Sequence, residues 1–366
     1  MKRILILSAP IGSGHKMTAQ ALVEELKNRK DIEIIEGDVV SFMPQWVGKA
    51  FLFCYLKLLQ ICPWLYGLAY SSGKSSTAAN LAQEQKHLWL RNWLNSCLQI
   101  LGSAYLDSVK PDIVLATHAT PLGIMSLYKK RHPELWLGAV VPDYNIHPWW
   151  LCDRVDAYFL ADEKLKTRFP AGALVEAFGL PLRAAFKAAD KRDCREKYGF
   201  KADEKVVLLM GGGDGLLPME ELVKAIFNAQ LPNTRLVVIA GKNEELVQKL
   251  QQCYADIREE KLQVYGFRED APELLTAADV LISKAGAVTA AEALACGIKY
   301  IIYKPLPGQE TGNAQFLASY HDAKIADNLQ MVVQYLQEAK DTMIVPQKDL
   351  QQASKRICDY VLTSKS

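Results

Sequence analysis

Short apolar runs alternate with helix-like stretches along the entire chain, and this alternation constrains the fold more than any other feature. Runs of this length suit strands that are buried on both faces of a parallel sheet with helical crossovers. Twelve runs have this character, and they begin at Arg3, Ile32, Asp112, Leu137, Asp156, Ala173, Lys205, Arg235, Leu262, Asp279, Lys299 and Ala323. Two sets of six predict two Rossmann-like α/β domains.

The length of the chain agrees with two domains, because 366 residues exceed what one ordinary hydrophobic core supports. The boundary is predicted after FGLPLRAAF at residues 178–186, where a charged helix at 189–198 leads into the second set of strands. The predicted domains are residues 1–182 and residues 183–345. Residues 346–366 are predicted to form a helix that returns towards the first domain.

Composition and missing motifs exclude several classes of protein. Basic and acidic residues nearly balance, 43 against 41, so we expect no nucleic-acid partner. The eight cysteines form no C-x-x-C pair and no cluster with histidine at metal spacing, which indicates reduced thiols in the cytosol. The chain begins a strand at once and has no apparent leader, so we do not expect secretion. Neither a dinucleotide fingerprint nor a P-loop is present.

The first apolar run leads into an unusual loop and helix, SAPIGSGHKMTAQAL at residues 8–22. Gly12 and Gly14 allow a backbone or a ligand to approach closely, and the following helix points N–H groups at whatever lies there. His15 stands at the start of that helix. The loop is either a tight turn with a polar first-turn residue or one wall of a ligand site, and this stretch alone fits both readings.

A second loop at the end of a strand has the features of a diphosphate site. The strand ends at Lys284, and the sequence AGAVT then opens an alanine-rich helix. The N–H groups of Ala287 and Val288, with the positive end of the helix, suit a diphosphate without a metal. Glu292 lies one turn further on, on a side from which we expect it to reach a ribose hydroxyl. No Asp-x-Asp occurs in the chain, so we expect no metal at the diphosphate and no other cofactor.

Polar residues follow the next strand, in the sequence PGQETGN. Gln309, Glu310 and Asn313 form a compact set of donors and acceptors for the hydroxyls of a hexose. The alternative is a polar turn that precedes a helix. The glycine run GGGDG at residues 211–215 also follows a strand and is a weaker signal of a phosphate loop.

Residues 46–70 are almost uniformly apolar and aromatic. Their length would admit a membrane span, but Lys49, Lys57 and Pro63 argue against one. Amphipathic rings among lysines suit a segment in the headgroup region, and residues 39–111 carry six basic residues against two acidic ones. We therefore predict contact with an anionic lipid surface. Packing on the protein's own sheet or on a second subunit is the alternative.

Several motifs together make the chain recognisable. In this order and spacing they resemble the monogalactosyldiacylglycerol synthases and processive diacylglycerol glucosyltransferases, a family related to the peptidoglycan N-acetylglucosaminyltransferase. The motifs are GSGH at 12–15, PDYNIHPWW at 142–150, FGLPLR at 178–183, AGKN at 240–243, KAGAVTAAEALACG at 284–297 and KPLPGQETGNAQF at 304–316. The resemblance covers nearly the whole chain.

This resemblance implies a GT-B glycosyltransferase with two facing Rossmann-like domains and a cleft between them. The implied reaction is inverting transfer of a hexose, from UDP-glucose or UDP-galactose, to diacylglycerol. His15 is then the general base, since its ordinary pKa suits that work. The enzyme would act as a peripheral protein at the cytoplasmic face of the cell membrane, and the resemblance to processive glucosyltransferases implies that more than one sugar is added.

The resemblance also implies roles for individual residues. His15 and Asp143 are implied to be catalytic, with Gly12, Gly14 and His147 around the acceptor. Lys49, Lys57, Trp64 and Tyr66 are predicted to meet the membrane from the composition of residues 46–70, and not from the resemblance. The residues implied to bind the nucleotide sugar are Gly212, Gly213, Phe267, Gly286, Ala287, Val288, Thr289, Glu292, Gln309, Glu310 and Asn313.

Three rival functions remain open at this stage. One is a peptidoglycan-type transferase that moves N-acetylglucosamine to a lipid-linked acceptor. The others are a UDP-sugar epimerase on the same fold and a nucleotide-sugar-binding regulator without catalysis. An epimerase has no need of the apolar surface at residues 46–70.

Overall fold

The computed structural model describes residues 1–9, 13–38, 48, 89–188, 190–212, 217–257, 260–339 and 346–364. All twelve predicted strands are present, in two parallel sheets of six. The strands are β1 (Lys2–Ser8), β2 (Ile32–Asp38), β3 (Ile113–Ala116), β4 (Trp136–Val140), β5 (Ala157–Phe159), β6 (Val175–Glu176), β7 (Lys205–Met210), β8 (Thr234–Ile239), β9 (Leu262–Tyr265), β10 (Val280–Ser283), β11 (Lys299–Tyr303) and β12 (Lys324–Ala326). The predicted α/β class is confirmed.

Helices connect the strands, as parallel pairing requires. Those described are α1 (Ser13–Leu26), α2 (Trp89–Val109), α3 (Ala119–Tyr128), α4 (Ala185–Ala188), α5 (Lys191–Lys197), α6 (Met219–Asn228), α7 (Glu244–Cys253), α8 (Ala271–Ala277), α9 (Ala287–Cys296), α10 (Gln309–Tyr320), α11 (Leu329–Glu338) and α12 (Ala353–Ser364). Short 3₁₀ turns occupy Pro148–Trp150, Glu163–Arg168 and Lys348–Gln352. The chain divides into unit 1, which is Met1–Arg183 with Gln352–Ser366, and unit 2, which is Ala184–Gln351.

The sheet of unit 1 has the strand order β2-β1-β3-β4-β5-β6. Ile4 and Ile6 of β1 are each 1% exposed, because helices cover the sheet and leave these strands no solvent face. They pack in one core with Leu22 of α1 and Leu115 of β3. Because β1 and β3 pair in parallel, their carboxyl ends lie side by side at one edge of the sheet.

The sheet of unit 2 has the strand order β12-β11-β10-β7-β8-β9. Its core joins Val207 and Leu209 of β7 with Ile282 of β10 and Ile301 of β11. These three strands are consecutive neighbours, so the loops that leave their carboxyl ends are gathered at one place. In open parallel sheets this edge is where ligands bind.

The C-terminal helix α12 packs within unit 1. Its apolar residues Ile357 and Val361 join the core of that unit, and the Ser354 hydroxyl donates to the carbonyl of Leu182 at 3.3 Å. The helix predicted over residues 346–366 is not one continuous α-helix, because Lys348–Gln352 forms a 3₁₀ turn before α12 begins at Ala353. Such tighter turns are frequent at helix ends.

Within the described ranges, no helix is both long and apolar enough to cross a bilayer. Apart from Gly48, residues 46–70 lie outside the described ranges. Lys49, Lys57, Trp64 and Tyr66 are therefore among the residues that the structure does not describe. Gly12 and Gly213 also lie outside them. The roles predicted for these residues stay predictions.

Candidate active site

His15 lies in the first turn of α1, shortly after the carboxyl end of β1. Its ring is held by a hydrogen bond of 2.6 Å between Nδ1 and the carbonyl oxygen of Thr117. Thr117 follows β3 directly, and its hydroxyl donates back to the carbonyl of His15 at 3.0 Å. Two hydrogen bonds, one donated by each residue, therefore connect His15 and Thr117 at the ends of β1 and β3.

The partner of Nδ1 fixes the form of the imidazole. A carbonyl oxygen only accepts hydrogen bonds, so Nδ1 of His15 carries the proton and donates. In the neutral ring, Nε2 is then the atom with the lone pair. A histidine that is oriented through Nδ1 and basic at Nε2 has the form that a general base requires.

A second histidine, which sequence reasoning did not select, lies against the first. His118 caps α3, where its Nδ1 accepts from the Thr120 N–H at 3.1 Å. Its ring meets that of His15 edge to face, with 4.6 Å between the centroids. Because Nδ1 of His118 is an acceptor, the neutral ring carries its proton on Nε2.

Burial keeps both rings neutral at neutral pH. It lowers the pKa of His15 below the ordinary value, and the hydrogen bond to Thr117 partly opposes this. Burial lowers the pKa of His118 well below the ordinary value, and repulsion from His15 adds to the shift. His15 is therefore able to accept a proton without first having to lose one.

The other residues predicted for the acceptor side lie on the same sheet. Asp143 follows β4 and is only 5% exposed. His147 caps the Pro148–Trp150 turn, with its Nδ1 accepting from the Trp149 N–H at 3.2 Å. The Nδ1 bond that orients His15 comes from Thr117, so a role for Asp143 in catalysis stays a prediction. Gly14 is the second residue of α1, next to His15.

The nucleotide half of the candidate site occupies three neighbouring strand ends in unit 2. The Ser283 hydroxyl at the end of β10 donates to the Met210 carbonyl at the end of β7, at 2.6 Å. Gly212 then turns the chain with a φ of +74°, a left-handed conformation that favours glycine. Such a turn presents backbone N–H groups in the manner of an anion-binding nest.

Helix α9 begins beside that turn, and its N-terminus has no side-chain cap. Gly286 occupies the cap position and makes no side-chain hydrogen bond. The N–H groups of Ala287 and Val288 and the hydroxyl of Thr289 lie in the first turn, where the helix dipole favours negative charge. Glu292 follows in the second turn and is 5% exposed.

Helix α10 supplies the residues predicted for the sugar. It begins after Gly308, whose φ of +93° and ψ of −111° only glycine adopts readily. Glu310 accepts from Nζ of Lys284 at 2.8 Å and from the Leu306 N–H at 3.0 Å. The Asn313 amide donates to the Ala285 carbonyl at 3.2 Å. The first turn of α10, which also holds Gln309, is therefore tied to the loop between β10 and α9.

Phe267 lies after β9, the edge strand of the unit 2 sheet, and is 65% exposed. An exposed aromatic ring at the carboxyl edge of a sheet suits stacking on a planar base. The described residues that were predicted to bind the diphosphate and the sugar therefore lie close together. Phe267 lies apart from them, after the edge strand β9, which is two strands away from β7.

Two family models match the chain, one in each half. The model of monogalactosyldiacylglycerol (MGDG) synthase matches residues 15–182, and that of the glycosyltransferase family 28 C-terminal domain matches residues 206–360. A processive diacylglycerol beta-glucosyltransferase of Bacillus cereus (strain G9842) is 30% identical over 321 residues, covering 86% of this chain and 79% of that protein. The chain belongs to the family of MGDG synthases and processive diacylglycerol glucosyltransferases. The family suggested by the motifs is confirmed.

Solved structures of other proteins share the fold of this chain. MurG of Acinetobacter baumannii has a TM-score of 0.64 at 17% identity, over 99% of this chain and 100% of that chain. A UDP-GlcNAc 2-epimerase from Neisseria meningitidis, bound to UDP-GlcNAc, has a TM-score of 0.55 at 15% identity, over 99% and 100% of the two chains. The GT-B fold is confirmed, but since an epimerase shares it, the fold alone does not choose the reaction.

Proposed function

We propose that this glycosyltransferase moves glucose from UDP-glucose to diacylglycerol with inversion at the anomeric carbon. Glucose and diacylglycerol are the sugar and acceptor in the name of the Bacillus cereus relative. The observation that carries the proposal is the hydrogen bond from His15 to Thr117, which leaves Nε2 as a base. An inverting transfer needs one base on the acceptor and no covalent intermediate.

His15 acts on the hydroxyl of the glycerol. Its Nε2 takes the hydroxyl proton while the oxygen attacks the anomeric carbon of the donor. The bond between that carbon and the β-phosphate oxygen breaks, and UDP leaves with the electron pair. A single displacement on the α-linked donor gives a β-glucoside.

The leaving UDP gains negative charge, which unit 2 is equipped to stabilise. Backbone N–H groups at Gly212 and in the first turn of α9 would receive the diphosphate, without a metal ion. Glu292 would hold the ribose, and Phe267 with its neighbouring backbone the uracil. Gln309, Glu310 and Asn313 would bind the glucose hydroxyls.

Diacylglycerol is scarcely soluble in water, so the enzyme has to reach it in a bilayer. We infer that residues 46–70 make this contact as a peripheral, lysine-bearing aromatic segment at the cytoplasmic face of the membrane. The glucosyl-diacylglycerol product would stay at the same surface and serve as the acceptor for a second glucose. This processivity is also part of the proposal.

One assay tests the reaction against its rivals. Purified protein is incubated with UDP-glucose, UDP-galactose or UDP-N-acetylglucosamine and with vesicles that contain diacylglycerol or a lipid-linked sugar. The lipid products are identified by mass, and the nucleotide sugars are separated by chromatography against epimer standards. A hexosyl-diacylglycerol from UDP-glucose supports the proposal. Epimerised UDP-sugar without glycolipid would indicate the epimerase, and transfer only to a lipid-linked sugar would indicate the peptidoglycan-type reaction.

The variant His15→Ala separates catalysis from binding. Loss of a general base lowers turnover by roughly 10²- to 10⁴-fold. UDP affinity, measured by calorimetry, is expected to be unchanged, because His15 belongs to unit 1 and the nucleotide residues to unit 2. Wild-type turnover in this variant would refute the assignment of His15.

A further inference from the structure

A partly buried ion pair crosses the nucleotide half of the candidate site. Lys284 follows β10, and its Nζ contacts Glu310 of α10 at 2.8 Å, with side-chain exposures of 19% and 14%. The aliphatic part of Lys284 lies over Gly212, where an added Cβ would come within 3.2 Å of the lysine Cε. Lys284 therefore passes directly over the glycine turn and reaches the first turn of α10.

We propose that the Lys284 ammonium binds the diphosphate of the sugar nucleotide, and that Glu310 holds the ammonium in place for this purpose. The inference rests on the proposed donor site. It adds to that site the cation that the backbone N–H groups alone do not provide.

The surroundings of Lys284 favour a phosphate group as its ligand. Two anion-binding features flank it, the left-handed turn at Gly212 and the N-terminus of α9 after Gly286. A helix N-terminus contributes only about half a positive charge. A diphosphate carries more than one negative charge, so a full cation at the same place strengthens its binding.

Glu310 has a geometry that suits the holding role. One carboxylate oxygen accepts from Lys284 and the other from the Leu306 N–H, so the carboxylate is fixed from both sides. An ammonium group has three N–H donors, and the bond to Glu310 occupies one. Glu310 also keeps the lysine charge balanced when no nucleotide is bound.

The test compares the binding of uridine, UMP and UDP to purified full-length variants by calorimetry. Lys284→Met keeps the length of the side chain and its packing on Gly212 but removes the charge. We expect it to bind UDP about 10- to 100-fold more weakly, the scale of a lost charged hydrogen bond. Uridine affinity is expected to be unchanged, and Lys284→Arg is expected to restore UDP binding.

Two further variants complete the calorimetric experiment, one at Glu310 and one at a lysine far from the site. Glu310→Gln keeps one oxygen to accept from the Leu306 N–H but turns an NH2 group towards Lys284, so the ammonium is no longer held, and UDP should bind more weakly while uridine affinity is unchanged. Lys249 pairs with Glu220 at 2.6 Å elsewhere in unit 2, and Lys249→Met is expected to leave all three affinities unchanged. Lys284→Gln serves as a second neutral variant if Lys284→Met does not fold.

The outcomes separate this inference from the proposed function. If the wild type binds UDP no better than uridine, the donor site itself is wrong. If the wild type prefers UDP but Lys284→Met and Lys284→Gln keep the same preference, only the role of Lys284 is refuted. Equal losses of UDP and uridine binding in the Lys284 and Glu310 variants would show that the ion pair is merely structural.

Discussion

The imidazole rings of His15 and His118 meet edge to face, with 4.6 Å between their centroids and 81° between their planes. The two residues lie at the ends of the adjacent strands β1 and β3, and each commits its Nδ1 to the backbone. In the neutral pair, Nε2 is an acceptor on His15 and a donor on His118. Two imidazolium rings at this distance would repel each other, so the arrangement favours a pair in which at most one ring is positively charged.

The enzyme should lose its transfer activity only at distinctly acidic pH. A general base works when it is neutral, so activity falls as the pH drops through its pKa. Because burial lowers the pKa of His15 below the ordinary 6.5, the acid limb of kcat/KM is expected below pH 6.5. A profile measured with soluble UDP-glucose and vesicle acceptor checks this, and an acid limb above 6.5 would contradict it.

Substitutions at His118 should separate its ring from its capping role. His118→Asn keeps a cap acceptor for Thr120 but removes the ring, so water reaches His15 and the acid limb moves up towards 6.5. His118→Phe keeps the ring volume and the low acid limb, but the lost cap costs about 0.5–2 kcal/mol of stability. Thermal unfolding and pH profiles measure the two effects, and an unshifted limb in His118→Asn would refute the role of the ring.

Glu292 is expected to hold the ribose of the donor. Glu292→Ala should weaken UDP binding by about 1–3 kcal/mol, the scale of hydrogen bonds to a charged group. Glu292→Gln, which keeps the volume of this buried side chain, should lose less. Calorimetry with 2′,3′-dideoxy-UDP supplies the control, because a ligand without ribose hydroxyls should bind wild type and variants alike. A loss that persists with that ligand would point to a packing effect.

Gly308 sets the start of α10 and hence the positions of Gln309 and Glu310. A side chain is strained at its φ of +93°, so Gly308→Ala should cost about 1–3 kcal/mol of stability. Displaced sugar-binding groups should also lower transfer by up to about 10²-fold. Gly199→Ala is the matched control, because its φ is +67° with open space around a Cβ, away from the strand ends of the site. It should lose stability but keep its KM for UDP-glucose.

Binding of the enzyme to membranes should depend on the negative charge of the lipids and on the positive charge of residues 39–111. Each basic residue near an anionic surface contributes about 1 kcal/mol, so sedimentation with liposomes should increase with anionic lipid and decrease with salt. Replacing Lys49, Lys57, Trp64 and Tyr66 together should release the enzyme while UDP binding is kept. Binding that ignores lipid charge and salt, or that only detergent reverses, would contradict a peripheral attachment.

The sequence by itself determined the two α/β sheets and the segments in which the predicted nucleotide-binding residues lie. Strands buried on both faces need unbroken apolar runs, and these runs are local features, so all twelve strands were predictable. The loops after β10 and β11 carry their glycines and polar residues within one short segment. Because the carboxyl ends of parallel strands lie at one edge of a sheet, the proximity of these two loops was predictable from the sequence.

Only the tertiary structure decided which groups act on one another. His15 and Thr117 are 102 positions apart, and their bond exists because β1 pairs with β3. No local pattern specifies strand order, so His118 was missed although it is the last residue of a predicted strand. The tautomer of His15 follows from that pairing of β1 with β3. The ion pair between Lys284 and Glu310 follows from where the side chains lie after β10 and β11 pair, which the sequence pattern does not specify. Hydrophobic periodicity determines the elements, whereas the contacts between their ends depend on how the sheets assemble.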